Sequence, residues 1–498
     1  MKLPQHIYMA ELVGTALDSK GHIFVLNRSH NPILEFMRLR LPAPSGQMRR
    51  VPIRMQVHTY RIIKAFLIER RKSMRLSGPL LLAAVAALAG LAPPPAEGRI
   101  LSQWVELGPD GSASVRAITE DACPTVMFDG KAVPMSARSE PGRSFGNVKP
   151  AQFPVRGCEA LVPRDAIAAV LDGKPLPLPR GNPQRIVVFG DSGCRLLSPD
   201  PVQDCNDVNS WPFPKISAMA AAARPDLVIH VGDYHYREEA CPVGHAGCAG
   251  SPWGYGWDAW NADFFQPAAP LLAAAPWVFV RGNHEDCSRA GEGWFRFFDR
   301  LPMESQCRDF TGAFVARLGD FGIVVVDGAN AADPKGDMSD MAATLRQGFI
   351  EVLGKIPAEA WLTTHRPLNA MLGSERGTPR NFVSNKVLQR ALGADMPAGV
   401  RMYVSGHIHF FQAVDFGGVR PPQLVVGTGG DNLEALPPLS VVGADINGAK
   451  VVDSVTYSGF GYMVWDRAGN GWSGTLFDVT GRPINRCRLV NRTLGCHN

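Results

Sequence analysis

The sequence predicts an α/β layered fold with buried sheets, preceded by a small all-β sandwich. Three observations lead there. From Arg185 onward, short apolar strands alternate with helix-like stretches. Those strands are apolar at consecutive positions, as in Ile186–Phe189, so both of their faces are buried. Before Pro183 the chain holds only short strands and turn residues. Strands buried on both faces and separated by helices belong to layered α/β proteins. Short strands broken at intervals by turn residues point to a sandwich.

The chain has 498 residues, enough for two domains with appendages. Arg70, Arg71, Lys72 and Arg75 precede an apolar run from Pro79 to Ala92, followed by small residues and prolines. A charged region, a short Ala/Leu stretch and small residues describe a secretory signal peptide, expected over 74–97. The run of 14 residues is shorter than the roughly 20 needed to span a bilayer. Residues 1–73 have no evident role ahead of such a signal, and Met74 could itself be the start, so 1–73 is expected to be a non-native extension. Within it, Ala16–Leu26 resembles one strand pair of a propeller repeat, and a single repeat cannot bury a core.

The formal net charge of +5 belongs to this leader. Up to Arg75 there are 14 Lys/Arg against 4 Asp/Glu, leaving 37 basic against 42 acidic residues beyond. A mildly acidic body does not suit a nucleic-acid binder, which must neutralise phosphates. All ten cysteines follow the leader. An even count in the exported part fits disulfides in an oxidising compartment, and no CxxC spacing suggests a zinc site. Pairing of neighbours would close short loops, although spacing alone leaves the connectivity open. The expected location is periplasmic or extracellular, with no stable membrane association once the signal is cleaved.

The β-rich domain is expected over 98–183, with strands such as Ser112–Ile118 and Thr125–Phe128 before the turn Asp129-Gly130. It carries no recognisable chemistry. The domain 184–498 does. Its strands are Ile186–Phe189, Leu227–Val231, Trp277–Val280, Ile323–Val326, Ala360–Thr363, Met402–Val404 and Leu424–Val426, with helices over Ile216–Ala223, Trp257–Ala275 and Met341–Leu353. Five of the strands run into polar clusters: Gly190-Asp191-Ser192-Gly193, Gly232-Asp233-Tyr234-His235-Tyr236, Gly282-Asn283-His284-Glu285, His365, and Gly406-His407-Ile408-His409. Ligands of open α/β sheets bind beyond the carboxyl ends of the strands, so these clusters converge on one site. In four of the five, a glycine ahead of the polar residue allows a sharp turn and close backbone approach.

Two Asp, a Tyr, an Asn and three His suit hard-to-borderline metals such as Fe, Mn and Zn. Seven ligands exceed one tetrahedral centre and suit two ions sharing a carboxylate. Such a pair clamps the attacking and leaving oxygens of an in-line phosphoryl transfer and acidifies bound water.

In order and spacing these clusters resemble the metallophosphoesterase superfamily, calcineurin-like in type, and within it the purple acid phosphatases, whose pattern runs GDxG, GDxxY, GNHE, a His after a strand, and GHxH. The resemblance covers about 185–430 and implies a β-sandwich flanked by helices. It implies that Asp191, Tyr236 and His409 bind a first metal, that Asn283, His365 and His407 bind a second, and that Asp233 bridges. Most superfamily members have a His where Gly193 stands; here Tyr236 supplies a phenolate instead, which implies Fe(III) in the first position and divalent Fe, Zn or Mn in the second. The activity implied is hydrolysis of small phosphate monoesters by a metal-held hydroxide, with His284 as the catalytic acid that helps the leaving group depart. A phosphodiesterase or nucleotide hydrolase with the same metals is the alternative, and a non-catalytic phosphate- or metal-binding protein is the reading from another class.

Other residues carry weaker expectations. His235 and Arg366 are candidate substrate contacts, against a loop role and a structural ion pair respectively. His230 and His245 are expected to be structural, and Glu285 to orient His284 or a ligand. Gly427–Asp431 lacks the Gly-Lys-Ser/Thr of a P-loop and is expected to pack beneath the site. The loop Trp253–Trp260 lines either a cleft or a core. Asn491-Arg492-Thr493 fits a glycosylation sequon.

Overall fold

The computed structural model describes residues 12–17, 23–27, 99–142, 149–332, 338–373, 379–383, 385–393, 396–434 and 440–497, with backbone only for the first two segments and within 373–384. The expected signal peptide over 74–97, and most of 1–73, lie outside these residues. Two compact units are distinguished, Met1–Pro93 and Pro94–Asn498. In the first, Leu12–Leu17 pairs antiparallel with Ile23–Asn27, in line with the strand pair read there.

The second unit is built on two sheets. The first carries three parallel strands, β1 (Arg185–Phe189), β2 (Leu227–His230) and β3 (Trp277–Phe279). The second carries four, β4 (Phe321–Val326), β5 (Glu359–Thr363), β6 (Val400–Ser405) and β7 (Gln423–Val426). One face of each sheet meets the other: Ile186, Val188, Ile229 and Val278 pack in the same core as Ile323, Val325, Met402 and Val404. Alternate residues point outward. Val187, Phe189 and Val228 pack beneath helix α1 (Phe213–Ala222) and helix α2 (Gln266–Leu272). Val324, Val326 and Leu362 pack beneath α3 (Ser339–Ile350) and α4 (Lys386–Leu392). The result is a helix–sheet–sheet–helix sandwich, and it accounts for strands apolar at every position. The stretch expected as one helix over Trp257–Ala275 begins at Trp257–Trp260, widens by one turn over Asn261–Phe265 and resumes as α2.

The β texture expected over 98–183 is present, and it shares a sheet with the domain that follows. Ile100–Leu107 lies parallel to β3, with Glu106 opposite Trp277, and leads on through Ala113–Thr119 and Arg156–Leu161 to Ser136–Ser139. A separate four-stranded sheet, including Thr125–Phe128 and Ala169–Leu171, covers this extension and shares its apolar core through Val126, Phe128 and Leu171. The small sandwich therefore uses the edge of the large sheet as one of its layers. Covering an edge in this way removes a row of unpaired backbone groups.

All ten cysteines are paired as neighbours: 123–158, 194–205, 241–248, 287–307 and 487–496. Among the described residues no helix is long and apolar enough to cross a membrane. A cross-link stabilises by restricting the unfolded chain, more so for longer loops. The Cys123–Cys158 bridge spans 35 positions and Cys241–Cys248 spans 7. Replacing both cysteines of the first bridge by alanine should cost about 4 kcal/mol in denaturant unfolding, and of the second about 2 kcal/mol.

Candidate metal centre

The five clusters sit at one edge of the sandwich, where parallel strands of both sheets end. Three of their residues have left-handed backbones: Asp191 at φ 58°, Asp233 at φ 58° and His407 at φ 71°. Non-glycine residues rarely adopt this conformation, and it concentrates at functional sites. Here cross-links between loops hold it in place. The N–H of Asp191 donates to Gly232 O at 2.9 Å, that of Ser192 to Asp233 O at 3.0 Å, and that of Gly406 to His365 O at 3.0 Å. The Gly427–Asp431 segment packs beneath, as expected, with Gly429 N–H donating to Gly190 O and Asp431 N–H to Asp191 O. Glycine is required at 232, because a Cβ there would lie 2.5 Å from His365 Nδ1.

Two buried carboxylates that are not candidate ligands fix the second loop. Glu285 accepts from the backbone N–H groups of Gly282 (3.0 Å), Asp233 (3.1 Å), Tyr234 (2.9 Å) and His235 (3.2 Å). It orients the candidate ligand Asp233 through the backbone of its loop, and makes no hydrogen bond with the His284 ring. Asp263 accepts from the N–H groups of Tyr236 (2.7 Å), Arg237 (3.0 Å) and Cys194 (3.0 Å), and from Arg237 Nε at 2.6 Å.

All seven candidate ligands gather. Tyr236 Oη lies 2.8 Å from Asp233 Oδ2, 3.3 Å from Asp191 Oδ1 and 3.1 Å from His409 Nε2. On the other side of Asp233, His365 Nε2 is 3.0 Å from Oδ2 and 3.2 Å from Asn283 Oδ1. Ligand atoms of Asp233, His365 and His407 lie within 4.8 Å of one another, a spacing one metal ion can bridge. Asp233 faces both groups, as a shared carboxylate must. Burial and the Arg366 guanidinium push the His407 imidazole well below its usual pKa, so its ring is neutral and keeps a lone pair. Burial opposes protonation of His409 too, but Asp431 and Asp191 outweigh it and hold the ring up at about 9. Burial and the charges of Asp233 and Asp191 push the Tyr236 phenol well above its ordinary value. A cation among these groups would reverse that and favour the phenolate. Oxygen and imidazole donors around two buried carboxylates therefore fit a pair of metal ions.

His284 stands at the rim of this cluster. Its Nδ1 is 2.7 Å from Glu238 Oε1 and its Nε2 is 4.0 Å from Asp233 Oδ2. Glu238 is in turn held by Tyr255 Oη at 2.7 Å and Arg289 Nε at 3.0 Å. A cavity of about 420 Å³ opens over the cluster. Asp233, Tyr236, Asn283, His284, His407 and His409 line its floor, and Arg195, Leu372, Leu433 and Glu434 belong to its walls.

The two candidate substrate contacts lie elsewhere. His235 is fully buried between Trp260 and Tyr255, with neither ring nitrogen hydrogen-bonded, and does not line the cavity. Glu285 and Asp263 hold the backbone on both sides of it, which sends Tyr236 to the cavity and His235 away from it. Arg366 Nη1 lies 2.8 Å from His407 Nε2 and its Nε donates to Ala329 O at 3.2 Å, so the guanidinium supports a candidate ligand rather than facing the cavity. His230 is structural, bonded to Ser192 Oγ and stacked on Tyr234. His245 pairs with Asp204 at 2.7 Å. Trp257 and Trp260 are core residues while Trp253 is exposed, and none of the three lines the cavity. Sequence reasoning missed Arg195, Glu238, Asp263 and Asp431. Asp431 ends the Gly427–Asp431 segment, whose packing role was expected without a role for its carboxylate; the other three sit in no recognisable motif, though Glu238 and Arg195 lie within five residues of one.

The sequence profile of calcineurin-like phosphoesterases matches residues 184–411. That stretch is a calcineurin-like phosphoesterase domain. The chain is thus a hydrolase of phosphate esters, and this fold holds a binuclear metal centre. Among solved structures, a purple acid phosphatase from yellow lupin (Lupinus luteus) seeds shares the fold at a TM-score of 0.51 and 14% identity, covering 80% of this chain and 74% of that one. PhoD aligns at a TM-score of 0.49 and 12% identity, covering 82% of this chain and 94% of its own. No curated protein matches the chain.

Replacing Glu285 with alanine would leave four N–H donors without their buried acceptor. The expected loss of stability is about 3 kcal/mol by denaturant unfolding. Metal bound per chain, measured by elemental analysis, should fall with it.

Proposed function

We propose that the protein is a secreted phosphatase of the purple acid phosphatase kind, hydrolysing phosphate monoesters by in-line attack of hydroxide. The observation that carries this reading is the phenol of Tyr236, whose Oη lies within 3.3 Å of Asp191, Asp233 and His409. Asp191, Tyr236 and His409 would hold Fe(III), Asn283, His365 and His407 would hold divalent Fe, Zn or Mn, and Asp233 would be shared between the two. When bound, such a pair acidifies water and draws charge from the transferring phosphoryl group.

The chain's own residues do the rest. Tyr236 contributes an anionic oxygen, which favours the trivalent ion. The floor of the cavity orients the ester so that its phosphorus faces the attacking oxygen and its leaving group faces His284. Glu238 fixes His284 at Nδ1, and Nε2, which Arg289 Nη2 approaches to 3.1 Å, is the nitrogen that serves the leaving oxygen. Proton donation there is worth most when the departing alkoxide is a poor leaving group. The five disulfides and the signal-like segment over 74–97 support export. Arg366 acts on His407, and His235 has a packing role.

Two measurements test the reading. The purified protein should contain iron and absorb visible light, and Tyr236→Phe should abolish the colour; a coloured variant would remove the phenolate assignment. On a panel of esters, monoesters should turn over faster than diesters. His284→Ala should lower kcat on alkyl phosphates by roughly 10²–10³, with a smaller loss on aryl phosphates. An equal loss on both would remove His284 as the proton donor.

A further inference from the structure

Arg195 is the cation of the cavity wall, and its position is unusual for a substrate contact. The guanidinium carbon lies 4.7 Å from the centre of the Tyr236 ring, within the range of a cation–π contact. Its nitrogens are already engaged. Nε donates to Asp431 Oδ1 at 3.0 Å, Nη2 pairs with Asp431 Oδ2, and Nη1 meets Asp200 Oδ2 at 2.6 Å. The backbone is pinned as well: Arg195 N–H donates to Gln203 Oε1 at 3.0 Å, Gln203 N–H donates to Arg195 O at 3.0 Å, and Leu196 N–H donates to Tyr236 O at 2.9 Å. The Cys194–Cys205 disulfide closes the same loop. Swinging Arg195 toward a substrate would leave the fully buried Asp431 carboxylate without its bidentate partner, a costly state.

We propose that Arg195 is a positioning residue for Tyr236, setting the electron-donor strength of the phenolate through the face of its ring. The proposal rests on the iron-phenolate reading above. Charge transfer from phenolate to Fe(III) removes negative charge from the ring. A cation stacked on that ring resists the loss and raises the transition energy. Asp431 extends the link, because its Oδ2 is also 3.3 Å from His409 Nδ1. One ion pair thus touches two of the groups assigned to the first metal. Lysine can replace the charge but not the planar fork that holds Asp431 and covers the ring together.

The test compares the visible spectra of the iron-loaded full-length wild type, Arg195→Gln and Arg195→Lys, with metal content and circular dichroism measured on each. The expected result is a move of the band to longer wavelength in Arg195→Gln and a smaller move the same way in Arg195→Lys. If the Gln variant does not fold, the Lys variant decides. Coloured, folded, metal-replete variants absorbing at the wild-type wavelength would overturn the proposal and leave the iron reading intact. Weaker inhibition by inorganic phosphate with an unmoved band would overturn it in favour of a substrate contact. A colourless, iron-free wild type would overturn both.

Discussion

Burial of two carboxylates side by side governs the rest of this structure. Asp191 and Asp233 are both almost completely buried, and each is within bonding distance of the same phenol. Charges removed from water are tolerated only when matched closely, since the uncompensated cost is several kcal/mol per ion. Imidazoles from the loops after β5 and β6 supply part of the match, and metal ions are the chemical remainder. Everything that fixes the loops has to work against the tendency of this cluster to open and hydrate.

The fixing is done at one remove. Glu285 and Asp263 hold no candidate ligand by its side chain; each holds a run of backbone N–H groups in the loop from Asp233 to Arg237. A carboxylate gripping several N–H groups sets the path of the chain, and the path sets where Asp233 and Tyr236 point. Disulfides flank the same loops, at Cys194–Cys205, Cys241–Cys248 and Cys287–Cys307. The left-handed backbones of Asp191 and Asp233 persist because the surroundings over-determine them. Rigid support of this kind is what keeps donor atoms in place before any ion arrives.

Much of this was legible in the sequence, for a local reason. An apolar strand and the polar turn that follows it are adjacent in the chain, so Asp191, Asp233, Asn283, His365, His407 and His409 announce themselves one by one. The supports do not. Glu285 binds a loop about fifty residues earlier, and Asp431 meets Arg195 across 236 positions. Asp263 lies in a helical turn with nothing around it to suggest that it accepts from Tyr236. The inward turn of His235 was equally hidden, because it depends on those same distant carboxylates. The β-rich segment before residue 183 was readable as strands, but its sharing of a sheet with β3 depends on Glu106 meeting Trp277, a long-range pairing without a local sign.

Gly193 shows how chemistry and packing are tied at this site. A side chain there would place its Cβ 2.8 Å from both Tyr234 O and Tyr236 N, and 2.9 Å from Asp263 Oδ2. The volume a histidine would need is filled by the backbone that carries Tyr236 and by the carboxylate that holds it. The missing imidazole and the present phenol are therefore two aspects of one arrangement. Restoring the first would force the loop away from Asp263 and break the bond from Tyr236 N–H. A side chain at this position can be accommodated only if the backbone carrying Tyr236 moves, so the identity of residue 193 and the path of the loop are fixed together.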